Sequence, residues 1–131
     1  MTVQNSTTVR NALGDAWETA IGTSAKIQIW SGSLPANCAA AATGTKLAEY
    51  SLSSDWSAAA SSGAKTLSSL PLTTTGLAAG TAGYYRIVDS AGTTCHEQGT
   101  VATSGGDMTI DNASAGVSLR YINSSLGWRI E

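Results

Sequence analysis

The chain reads as a small all-β domain, a single β-sandwich of Ig-like or jelly-roll-like type with a short N-terminal helix. Three observations predict this. Roughly seven or eight short apolar runs are separated by turn signals about every 8 to 12 residues, the spacing of sandwich strands. The hydrophobic period drops from about four residues to two after Gly22. Ala, Ser, Thr and Gly make up about half of the chain, with no Phe and two Pro, a composition suited to close sheet packing and many turns. The expected organisation is an N-terminal arm and helix over residues 1–22 and a sandwich domain over 23–131.

In residues 7–21, Val9, Leu13, Trp17 and Ile21 recur every fourth position and predict one apolar helix stripe. Asn5, Ser6 or Thr7 can cap its start, and Gly22 can end it. AKIQIW then alternates, with Ala25, Ile27 and Ile29 on one face and Lys26, Gln28 and Trp30 on the other. SGSLPANCAAAATGT is a loop of about 15 residues, a length that in a compact domain often carries function. KLAEYSL is the next strand, with Ala48, Tyr50 and Leu52 alternating. SSDWSAAASSG is a second loop, carrying Trp56. AKTLSSLPL reads as a third strand whose end Pro71 places at a sheet edge. YYRIVDSAGTTCHEQGTV reads as a hairpin turning at Asp89 to Gly92. DMTID, VSLRYI and GWRIE are further strand-like runs.

Net charge is −2 and charged residues are 12% of the chain, with the basic residues scattered singly. That pattern opposes a nucleic-acid partner, whose contacts concentrate Lys and Arg on one face, and gives no polybasic membrane patch. MTVQNSTTVRNALGDAWETAIG lacks the basic and apolar regions of a secretory signal, and no run reaches the roughly 20 apolar residues of a membrane span. The expectation is synthesis in a cytoplasm, with exit by lysis or inside a larger particle. The N-x-S/T triplets at Asn5, Asn112 and Asn123 are what chance gives in a Ser/Thr-rich chain.

Cys95, His96 and Glu97 stand in a row and raise the question of a reactive site. Strand alternation places Cys95 and Glu97 on one face and His96 on the other, out of mutual reach. His96 is the one histidine, and the sequence has neither C-x-x-C nor H-x-x-x-H spacing, so no metal or cofactor is expected. Cys38 and Cys95 are either two small buried or half-buried thiols or a disulfide closing more than fifty residues, worth about 4 kcal/mol by the chain-entropy argument. There is no G-x-S-x-G elbow, and TSGGD lacks the strand-to-helix setting of a phosphate cradle. Asp107 and Asp111 share a strand face and are either a glycosidase-like pair or solvated strand-end carboxylates. Trp30, Trp56 and Trp128 either fill the ends of a core without Phe or stand exposed for contact.

Several segments, taken together, resemble a group of small virion proteins of tailed bacteriophages. They are IQIWSGSLPANCAAAATGTKLAEYSLSSDW, GTAGYYRIVDSAGTTCHEQGTV and GGDMTIDNASAGVSL, spanning about residues 20 to 120. YINSSLGWRIE departs from the Thr/Val-rich last strand of that group. The resemblance implies a capsid decoration, or cement, protein on the virion exterior. Such a protein is not an enzyme and carries no cofactor. Its partners are the major capsid protein and neighbouring copies of itself. Leu13 and Trp17 on the helix, with Trp30, Leu34 and Trp56 around the long loops, are the expected assembly contacts, because large apolar side chains make hot spots. The alternatives are a head-fibre or tail appendage, binding a receptor or glycan through Trp56 with Tyr84 or Trp128, and an enzyme built on Asp107 and Asp111.

Overall fold

The computed structural model describes residues 4–68 and 76–109. The helix α1 spans Thr7–Ile21. The strands are β1 (Lys26–Ser31), β2 (Lys46–Ser51), β3 (Ala82–Val88), β4 (Cys95–Ala102) and β5 (Met108–Thr109). They form one sheet in the order β2-β1-β3-β4-β5, antiparallel through β4, with β5 parallel to β4. The chain is therefore β-rich with one short helix. Among the described residues, the layer facing the sheet is a helix and an irregular segment rather than a second sheet.

α1 has the expected bounds. Ser6 Oγ accepts the Val9 amide at 3.2 Å, and Gly22 ends the helix at φ +93°, its own amide bonding Glu18 O at 2.9 Å. Its buried face differs from the fourfold stripe. Ile21 is buried and Trp17 half-buried, while Val9 and Leu13 are 44% and 37% exposed. An i+4 step overshoots a full helical turn by about 40°, so three such steps carry Val9 roughly 120° from Ile21. The inward line is Arg10, Gly14, Trp17 and Ile21, at spacings of four, three and four.

Ile27 and Ile29 of β1, Ala48 and Tyr50 of β2, Tyr85 and Ile87 of β3, and Val101 of β4 build the core side of the sheet. Their alternation follows the reading of AKIQIW and KLAEYSL. Residues 52–68 fold over α1 and this face. Trp56, 1% exposed, meets Trp17 edge-on with ring centroids 5.2 Å apart, and its Nε1 donates to Gly22 O at 2.8 Å. Lys65 is also fully buried; its ammonium bonds Asp15 at 3.1 Å, Ala58 O at 2.6 Å, and Glu18. Asn11 accepts the Gly63 amide and Asp15 the Ala60 amide, each at 2.8 Å. Asn11, Asp15 and Glu18 thus lie on one polar flank of α1, spaced as i, i+4, i+7.

AKTLSSLPL forms no full strand among its described residues. Leu67 makes an isolated bridge to Ser57, and Ser68 N bonds Trp56 O at 2.9 Å. Pro71 lies outside the described residues, as do VSLRYI, GWRIE and the triplets at Asn112 and Asn123.

The second face of the sheet carries Gln28, Trp30, Tyr84, Arg86 and Gln98, and residues 32–45 close over it. Arg86 Nη2 donates to Ala40 O at 2.8 Å and to Asn37 O at 3.4 Å, and Gln98 Nε2 donates to Pro35 O at 2.7 Å. Tyr84 OH donates to Thr43 O at 2.6 Å and accepts the Thr43 amide at 2.8 Å. Gly44, at φ +75°, sits so close to β1 that a Cβ would land on the Ser31 carbonyl. The long loop is thus a cap held by buried polar side chains. Trp56→Ala is expected to cost about 3–5 kcal/mol in denaturant unfolding, whereas Leu13→Ala costs less than about 1 kcal/mol, the reverse of what a strict fourfold stripe implies.

Candidate functional site

The β3–β4 hairpin turns where the sequence puts it. Asp89 accepts the Thr93 and Thr94 amides at 2.9 and 3.1 Å, and these bonds hold its carboxyl below the usual range. β4 then returns with a bulge, its register against β3 shifting between Ile87 and Val88. Cys95 pairs with Val88, on the capped face, and Glu97 pairs with Ile87, on the core face. The extra residue, His96, is exposed. Strict alternation had placed Cys95 and Glu97 together; the bulge separates them instead. Thiol, imidazole and carboxylate face three different environments and make no catalytic constellation.

Glu97 emerges as the more unusual residue. Its carboxylate accepts the Trp17 indole N–H at 2.9 Å and the Tyr85 hydroxyl at 3.0 Å, joining α1 to the sheet. Burial pushes its pKa up to about 7, against the two hydrogen bonds, which favour the charged form; nearby Asp107 adds to the rise. Tyr85 is raised too, by burial and then by the Glu97 charge. The sequence held no signal for this, since Trp17 and Glu97 are distant in the chain.

On the capped face, Cys38, Cys95, Gln28, Trp30 and Arg86 line a recess of about 370 Å³. Arg86 is 6% exposed, forms no ion pair among the described residues, and leaves its Nε without a partner. Both cysteines are free and half-buried, and the Cys38 side chain lies close enough to interact with the Cys95 thiol. Burial, then Cys38, pushes Cys95 up to about 12. A second, open groove of about 690 Å³ runs beside Asp15, Glu18, Asp55 and Ser57. Its carboxylates at Asp15 and Glu18 are engaged with Lys65. No cluster of three or more metal-ligating side chains occurs among the described residues.

The expected contact residues divide. Leu13 and Leu34 are exposed, the latter by 39%. Trp17 is half-buried, with its N–H committed to Glu97. Trp30 stacks on Tyr84 at 6.3 Å and donates to Gln28 Oε1 at 3.2 Å. Trp56 is not available to a partner, because it fills the space between α1 and the sheet. Tyr84 is likewise buried, so Trp56 and Tyr84 form no aromatic platform for a glycan; Trp128 lies outside the described residues. Asp107 accepts from the Thr100 amide at 2.9 Å and hydroxyl at 3.0 Å, tying β4 to β5. Its supposed partner Asp111 lies outside the described residues.

Among the described residues no helix is long and apolar enough to cross a membrane. No family model, curated protein or solved structure matches the chain.

Because the folded pKa of Glu97 lies above its unfolded value near 4.5, the fold favours the neutral acid. Its stabilisation is present below about pH 4.5 and is lost as pH rises through about 7. Glu97→Gln keeps an acceptor for Trp17 and cannot ionise. The stability of wild type relative to this variant should therefore fall by roughly 2–3 kcal/mol between pH 4.5 and 8 in urea titrations.

Proposed function

We propose that this chain is a bacteriophage capsid decoration, or cement, protein that binds the outer surface of the major capsid protein and acts by adhesion. The observation that carries the reading is the outward side of α1. Val9, Ala12, Leu13, Ala16 and Ala20 are all exposed and form one continuous apolar stripe at helical spacing. The other two flanks of the helix are occupied, one by the sheet core and one by residues 52–68. A helix held on two sides presents its third without losing order on binding, which keeps the cost of association low. Leu34, near the start of the cap loop, offers a second apolar contact. Small individual contacts suffice when many copies bridge neighbouring capsomers. The segment resemblance set out above supplies the identity of the partner.

Within this reading, neighbouring copies touch one another on the shell. The fibre or tail-appendage reading is weakened by the burial of Trp56 and Tyr84, and an enzyme built on Asp107 by that carboxylate's tie to Thr100.

The test is copy number and radial position in purified particles, together with Val9→Asp and Leu13→Asp. Each substitution should reduce occupancy on the shell at least tenfold while shifting unfolding free energy by less than about 1 kcal/mol. Full occupancy by both variants, or a chain found only inside the particle, overturns the proposal.

A further inference from the structure

We propose that Cys38 and Cys95 are a built-in covalent clasp: in the folded protein they join as a disulfide when exposed to a disulfide-type oxidant, fastening the 32–45 cap to the sheet. This inference concerns the capped face and is independent of what the α1 stripe binds.

Three observations carry it. First, the cap is positioned around Cys38 by bonds on both sides of it in the chain. Arg86 holds Asn37 O and Ala40 O, and Gln98 holds Pro35 O. Second, the β4 bulge turns Cys95 onto the same face, where it pairs with Val88, two residues from Arg86. Were the strand regular at His96, Cys95 would point with Glu97 into the opposite side of the sheet. Third, both thiols line one recess and are half-buried rather than sealed, and Cys38 is among the groups that act on the Cys95 thiol. Burial, then Cys38, holds the Cys95 thiol in its protonated form, and the nearby Arg86 guanidinium works in the opposite direction.

The chemistry with oxidised glutathione balances. The Cys38 thiolate attacks one glutathione sulfur, breaking that S–S bond and releasing one glutathione thiolate. Cys95 loses its proton to solvent. It then attacks the Cys38 sulfur of the mixed disulfide and expels the second glutathione. Two protein thiols are oxidised by two electrons, and one oxidised glutathione becomes two reduced ones.

The experiment uses the full wild-type chain, reduced and then incubated with oxidised glutathione at about pH 8. Non-reducing peptide mapping should find one intramolecular link between the peptides containing Cys38 and Cys95, with the loss of two hydrogens. The Tm should rise by roughly 10 °C, reversibly on adding dithiothreitol. Cys38→Ser and Cys95→Ser should each abolish the rise. A stable glutathione adduct on either cysteine, a link between two chains, or an internal link with no rise in Tm overturns the inference. Mapping of the wild type decides the matter even where a serine variant fails to fold.

Discussion

The seat of Trp56 is the constraint on which the rest of the core depends. A small chain with no Phe must fill the gap between one helix and one sheet with few large side chains, and among the described residues the Trp56 indole is the largest of those fully buried. Its ring edge meets Trp17 and its N–H reaches the carbonyl of Gly22 at the helix end. One residue thereby fixes the exit of α1, the course of residues 52–68 and the height of the helix above the strands. Lys65 completes this arrangement from the polar side. Its buried ammonium is matched by two carboxylates and a carbonyl, and removing any one of them would leave charge in a dry place.

Among the described residues, both faces of the sheet are thus closed by material other than a facing sheet, and by different means. The core face is closed by apolar packing under α1. The other face is closed by side chains of the sheet reaching up to backbone carbonyls of the cap, so the cap itself needs few apolar residues. This explains why alanines, serines and threonines suffice there. Glu97 and Arg86 are the by-products of such closure: one carboxylate trapped beneath the helix, and one guanidinium trapped beneath the cap, each shielded from the other by the sheet.

Much of the local structure was legible in the sequence. The helix bounds, the alternation of AKIQIW and KLAEYSL, and the Asp89–Gly92 turn follow from nearest-neighbour rules that act within a few residues. What escaped was tertiary. The helix stripe failed because strict fourfold spacing drifts around a 3.6-residue turn, and only packing shows which part of the drift faces inward. The pairing of Cys95 with Glu97 failed because a single bulged residue reverses the parity of a strand, and no residue type announces it. The burial of Trp56 and Lys65 depends on partners more than thirty positions away in the chain. The outward apolar stripe of α1 became visible only as the remainder once the helix's two engaged flanks were known.

β2 forms one margin of the sheet, and it is guarded. The Leu47 carbonyl on its free side already accepts the Leu77 amide at 2.8 Å, and Glu49 sits between Lys26 and Lys46 in a small ionic group. A foreign strand seeking to extend the sheet there would have to displace that amide and strip water from three charges. Crowded molecules of this kind can lie shoulder to shoulder without their backbones zipping into a continuous ribbon.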